Sequence, residues 1–144
     1  MSVEVRRARD DAERNAAIAL RHRVFVEEQG VPARDEVDGR DGDGLHLVAV
    51  DEQGRVLATC RLVFVGATVQ LSRLAVDVSH RREGIASRLL RAADEEMRRR
   101  GARRVVLHAQ TYARDLYLSH GYHPRGPVFV EAGIEHVAME KSLA

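Results

Sequence analysis

The chain has 144 residues and a single cysteine, Cys60, which excludes an intrachain disulfide. Cys60 stands in an alternating apolar pattern with Val56, Ala58, Leu62 and Phe64, where a small buried hydrophobe fits better than a nucleophile. A basic surplus is missing too. Lys and Arg total 23 against 22 Asp and Glu, a net charge of +1; a nucleic-acid binder carries a marked basic excess, so no nucleic-acid partner is expected. No apolar run approaches membrane-spanning length. The opening Met-Ser-Val-Glu-Val-Arg has no apolar signal region, so no membrane partner is expected and cytoplasmic residence is. The seven histidines show neither H-E-x-x-H nor Cys–His spacing, and no metal site is expected. There is no internal repeat, low-complexity tract or sign of a second domain, so residues 1–144 read as one domain.

What is present is an ordinary globular composition, 44% hydrophobic and 31% charged. Residues 3–8 alternate weakly, as an edge strand would. Asp10 or Asp11 can cap a helix with the apolar stripe Ala17, Leu20, Val24 and Phe25, ending near Gly30 and Pro32. Pro32 to Gly44 is rich in Asp and Gly and reads as a surface loop, either solvated linker or a wall beside a substrate site. Three strands follow, Leu45 to Val50, Arg55 to Val65 and Val69 to Val76, with Gly66-Ala67 suited to a tight hairpin. A helix from Gly84 to Arg100 carries Ile85, Leu89, Ala93 and Met97 on one side. Ion pairs Asp94–Arg98 and Glu95–Arg99 would support it. Arg103 to Ala109 is an apolar run suited to a strand buried on both faces. A short helix from about Ala113 to His120 and two strands, Pro127 to Val130 and Ile134 to Lys141, complete the chain.

The densest signal runs from Leu74 to Leu90. A strand leads into the basic glycine loop Arg81-Arg-Glu-Gly-Ile-Ala86 and then into the long helix. Free N–H groups and the positive dipole end of a helix start make an anion site. Gly84 lets the backbone approach a ligand, and Arg81 and Arg82 add donors suited to phosphate oxygens. Neither the glycine-lysine ending of a P-loop nor the three-glycine dinucleotide pattern occurs here. A phosphorylated cofactor of another kind is indicated.

On this topology the chain resembles the GNAT superfamily of acyl-CoA-dependent N-acyltransferases, over nearly its whole length. Arg81, Gly84 and Ala86 fit the family's Q/R-x-x-G-x-G/A motif, with alanine where glycine is commoner. Ala113-Arg-Asp-Leu-Tyr-Leu-Ser-His-Gly-Tyr122 fits its A-x-x-x-Y-x-x-x-G-[FY] motif. Val24 to Gly30, Cys60-Arg-Leu62, Ala109-Gln110 and Glu131 to His136 look like the small bacterial ElaA-like subgroup. The resemblance implies an α/β (α+β) fold: a central mixed β-sheet flanked by helices, with a splayed parallel strand pair at the cofactor cleft. It implies acetyl-CoA (coenzyme A) as cofactor, bound by Leu74, Ala75, Val76, Arg81, Arg82, Glu83, Gly84, Ile85, Ala86, Ser87, Ala113 and Tyr117. The pyrophosphate would lie on the backbone of Arg82 to Ser87 and the pantetheine arm along Leu74 and Val76. An irregularity at Asp77 would then let the strand open to admit the ligand.

The implied reaction is direct transfer of an acetyl group to a primary amine of a small molecule or peptide. Tyr117 matches the family tyrosine that protonates the leaving thiolate; its other reading is an aromatic packing residue beside Leu116 and Leu118. The N–H of Val76 would stabilise developing oxygen charge. Glu27 and Glu28 are the leading candidates for the base, because they close the first helix. Glu27 lies seven residues after Leu20, near the apolar stripe. Glu131, His136, His46, His108 and His120 are looser candidates, and ordered water is another proton path. Two other functions stay open, a non-catalytic acyl-CoA sensor and a protein-interaction module on the same fold. Tyr117 discriminates, since a sensor needs no thiolate donor. A homodimer also stays open.

Overall fold

Alternating apolar segments become one mixed sheet in the computed structural model, which describes residues 2–144. Its strands are β1 (Glu4–Arg7), β2 (Leu45–Val50), β3 (Val56–Val65), β4 (Thr68–Val76), β5 (Arg104–Gln110), β6 (His123–Pro124), β7 (Phe129–Glu131) and β8 (Ile134–Ser142). They lie in the order β1-β2-β3-β4-β5-β8-β6, with β7 also paired to β8. Every pairing is antiparallel except β4 with β5. Among the described residues the α-helices α1 (Asp11–Arg21), α2 (Ala33–Glu36), α3 (Ile85–Arg99) and α4 (Arg114–Ser119) flank the sheet. Among the described residues no helix is long and apolar enough to cross a membrane.

Period-two alternation sends successive side chains to opposite faces, and each face finds its own cover. On one face Ile85, Leu89, Leu90, Ala93 and Met97 of α3 bury against Leu47, Leu57, Cys60, Leu62, Val69, Leu71, Val105 and Leu107. On the other, Ala17 and Leu20 of α1, with Val24 just beyond, bury against Val48, Val50, Val56 and Ala75. Cys60 is fully buried, and desolvation pushes its thiol up to about 12, which suits a core residue and not a nucleophile.

The parallel pair is short. Thr68 faces Arg104, Val69 faces Val105 and Gln70 faces Val106. Beyond these, β4 continues to Val76 and β5 to Gln110 without further pairing, so the two strands part as a fork.

Several details differ from the sequence reading. The first helix does not stay α-helical to Gly30. After Arg21 it widens into a π-helix over His22–Glu28, with Gln29 N–H bonded to Val24 O at 3.1 Å. A π step turns less per residue than an α step, so Glu27 no longer follows the stripe of Leu20. The strand irregularity is not at Asp77. Thr59 pairs with Ala75 and Arg61 with Ser72, so Arg73 and Leu74 together oppose Cys60, and Arg73 takes a φ of 60°. Asp77 N–H instead bonds Leu57 O at 2.8 Å, and its carboxylate accepts Ser79 N–H at the short turn Val78–His80. In α3 the pair Asp94–Arg98 forms at 2.8 Å. Arg99, however, pairs with Glu96 in place of Glu95, and so does Arg100, at 2.9 Å from Glu96. β7 begins at Phe129, and β6 at His123–Pro124 has no counterpart in the sequence reading.

Candidate active site

A cavity of about 960 Å³ opens at the fork. It is lined by Leu74, Ala75, Val76, Arg81, Arg82, Gly84, Ile85, Ala86, Ser87, Ala113 and Tyr117. Of the residues expected at the cofactor, only Glu83 lies outside the lining; its carboxylate stands 3.4 Å from His80.

The loop is shaped by backbone. Arg82 and Gly84 take φ values of 64° and 80°. No side chain caps α3 at Gly84, which leaves first-turn N–H groups available to a ligand. A Cβ built on Gly84 meets nothing within 4 Å. Room for a ligand and a left-handed backbone therefore coincide here. Arg82 has no ion pair among the described residues, whereas Arg81 is engaged: it donates to both Glu28 oxygens at 2.5 and 2.7 Å and to Val76 O at 3.1 Å. The Arg81 guanidinium holds the Glu28 carboxyl below its ordinary range.

Main chain at the end of β4 is also available. Asp77 N–H is spent on Leu57 O, and antiparallel ladders alternate residue by residue. The N–H and C=O of Val76 consequently turn away from β3 and into the fork, where Arg81 meets the carbonyl.

Tyr117 enters from α4 and is 6% exposed, its ring edge-on to Tyr122 at 5.8 Å. Burial raises its ionisation well above the ordinary value, so the O–H keeps its proton.

The carboxylates expected as base are not brought to the cavity. Glu27 stands 3.1 Å from His22 Nδ1 and is turned outward by the π-helix. Glu28 faces Arg81, beside the cavity rather than in its lining. Of the looser candidates, His46 is buried elsewhere, on Asp41 O at 3.0 Å. His120 lies 3.0 Å from Ser87 Oγ, behind the loop. His108, Glu131 and His136 do line the cavity.

An ionic network beneath the cavity has no counterpart in the sequence reading. Arg21 and Arg61 are 0% and 2% exposed. Arg61 donates to Asp38 at 2.6 and 2.8 Å and to Asp41 at 3.0 Å. Arg21 donates to Asp41 at 2.7 Å and to Glu36 at 2.8 Å. Arg73, at the bulge, donates to Glu36 at 2.9 Å and Asp38 at 3.2 Å. Hydrogen bonding to Arg61 holds Asp38 well below the usual carboxylate range. Burial pushes Asp41 up, but Arg21 and Arg61 outweigh it and hold it below. The network fastens the segment 33–41 to the sheet as a cavity wall. The available signal was a pair of arginines inside apolar patterns, Arg21 after Leu20 and Arg61 between Cys60 and Leu62, with an acid-rich loop between them in sequence that could neutralise them.

A parallel pair that parts beside an uncapped helix start makes a cleft suited to a phosphorylated ligand. Comparisons with known proteins make the class specific. Residues 11–143 match the model of the GNAT acetyltransferase domain. The N-acetyltransferase YjcF of Bacillus subtilis is 33% identical over 93% of this chain and 96% of its own. The crystal structure of an acyl-CoA N-acyltransferase from Pseudomonas aeruginosa is 30% identical, with a TM-score of 0.85 over 97% of this chain and 99% of that one. Escherichia coli ElaA is 26% identical, with a TM-score of 0.86 over 97% and 99%. The chain belongs to the GNAT acetyltransferase family, whose reaction is acyl transfer from acyl-CoA.

Proposed function

We propose that this protein moves an acetyl group from acetyl-CoA directly to a primary amine on a small molecule or peptide in the cytoplasm. The observation that carries the reading is that one cavity holds the uncapped start of α3, the outward-facing main chain of Val76 and the protonated Tyr117. Acetyl-CoA, when bound, supplies an activated thioester. The first-turn N–H groups of α3 and Arg82 suit its phosphates. The edge of β4 from Leu74 to Val76 suits the amides of the pantetheine arm. The N–H of Val76 is the donor for oxygen charge that develops during transfer. Tyr117 gives its proton to the departing sulfur.

Tyr117→Phe keeps the ring and removes only the donor. Turnover, followed as thiol release with an amine panel, should fall about ten- to a thousand-fold. Acetyl-CoA affinity by calorimetry should stay the same, because the interaction belongs to the transition state. Unaltered turnover would leave Tyr117 as a packing residue.

A further inference from the structure

Leu107 and Ala109 point into the α3-side core, at 2% and 1% exposure. Alternation therefore sends His108 and Gln110 to the opposite face of β5. The last parallel pair is Gln70 with Val106, so His108 is the first residue past the apex of the fork on that face. Tyr117 approaches the same cavity from the other side, within the cluster that holds Leu107 and Ala109. A donor for sulfur and a group suited to nitrogen thus enter from opposite faces of the sheet.

His108 is held by a carboxylate. Its Nδ1 stands 3.1 Å from Glu131 Oε2, and the edge of its ring contact with Phe129 spans 5.1 Å between centroids. A carboxylate accepts, so in the neutral ring Nδ1 carries the proton and Nε2 the lone pair. Glu131 is positioned by a two-residue turn in which Ala132 and Gly133 have φ values of 53° and 78°. Both positive angles are what a tight hairpin of this hand requires. Gln110 lies two residues along the strand. Its Nε2 bonds Gln29 Oε1 at 2.8 Å, and its own Oε1 has no partner among the described residues.

Glu36, Asp38 and His136, which also line the cavity, are committed. Glu36 and Asp38 belong to the arginine network. His136 is 8% exposed, with Nδ1 on Ile134 O at 2.7 Å and its ring stacked on Phe129. The His108 side chain is 46% exposed and can pass a proton to water.

We propose that His108, oriented by Glu131, takes the proton from the incoming ammonium at Nε2. This rests on the transfer reading above. Two protons leave the nitrogen in all. One passes through Nε2 to solvent before the C–N bond forms. The second restores Tyr117 after its O–H proton has gone to the sulfur as the C–S bond breaks.

Ethylamine and hydroxylamine serve as probes, with thiol release from acetyl-CoA as the rate. Ethylamine is almost wholly protonated near neutrality, whereas hydroxylamine is a far weaker base and arrives neutral. His108→Ala should lower kcat/KM for ethylamine by about a hundred-fold or more. It should lower the rate with hydroxylamine much less, and added imidazole should restore part of the ethylamine rate. Acetyl-CoA affinity should be unchanged. Independently of turnover, the 15N spectrum of histidine-labelled protein should show His108 with its proton on Nδ1, and Glu131→Ala should abolish that preference. A proton on Nε2 in the wild type overturns the assignment. So does a wild-type rate in His108→Ala with the loss found in His136→Gln. Wild-type protein that binds acetyl-CoA but releases no thiol above the enzyme-free rate with either amine removes the transfer reading and this inference with it.

Discussion

The two faces of the sheet are held by different forces. Against α3 the contact is apolar and fully buried, from Leu89 and Met97 to Leu62 and Val105. Such a face depends on volume and is indifferent to pH. Against α1 the apolar cover ends with Val24 and Phe25, and the segment 33–41 is fastened by Arg21, Arg61 and Arg73 on Glu36, Asp38 and Asp41. This second face depends on charge. The cavity lies where the two meet, so one wall is shaped by packing and the other by ion pairs. A wall fastened by ions can be matched to a polar amine substrate without loosening the core.

The contrast can be broken most directly at Arg61. Arg61→Met leaves Asp38 and Asp41 without their shared partner, and we expect a loss of about 3–5 kcal/mol in urea unfolding, as for other broken buried pairs. A loss under about 1 kcal/mol, the range of exposed ion pairs, would erase the distinction between the faces. The pH dependence sharpens it. Asp38 and Asp41 are held below their ordinary value of 3.8, so their stabilisation is complete above that value and is lost as pH falls through the lower folded-state values. Acidification below about pH 4 should weaken the wild type, and Arg61→Met should show less of that slope.

On the opposite face, Leu89→Ala should cost about 3 kcal/mol by opening a cavity in the core. Measured at pH 5 and pH 8, that loss should be the same; a strong pH dependence would mean that the two faces are coupled. Gly84→Val tests the loop between them. Its positive φ of 80° makes a branched residue cost about 1–2 kcal/mol, and acetyl-CoA affinity should fall more than about ten-fold because the added side chain occupies the ligand's approach. Unchanged affinity with a native circular dichroism spectrum would move the phosphate site elsewhere. The smallest effect should be at Cys60. Cys60→Ala should lose about 1 kcal/mol and keep its turnover, whereas an acyl-cysteine detected by mass spectrometry would replace direct transfer with a covalent route.

Legibility in the sequence followed the range of the interactions. The β4–α3–β5 unit could be read because its signals are local: alternation, then a glycine loop, then a helical stripe with Asp94 and Arg98 one turn apart. The π-helix was not legible, since Val24, Phe25 and Glu27 fit an α-helical stripe equally well and its contacts with α2 and β4 join segments distant in sequence. The bulge at Arg73 was misplaced to Asp77 because the ligand argument locates an opening but says nothing of which residue can reach Glu36 and Asp38. Glu28 stood among the candidates for the base, yet its partner Arg81 lies 53 residues away in sequence, beyond any local pattern.

The sequence by itself determined the β4–α3–β5 succession, the glycine at the start of α3 and the presence of Tyr117 on a short helix, because each depends on neighbours within a few turns of chain. Only the tertiary structure decided which charges meet. It turned Glu27 outward, spent Arg81 on Glu28, neutralised two buried arginines with a loop that could be read as linker or as a wall beside the site, and set His108 beside Glu131 at the apex of the fork. Charge pairing is settled by distances in space, and a chain folded into a sheet brings together residues that no periodicity in the sequence connects.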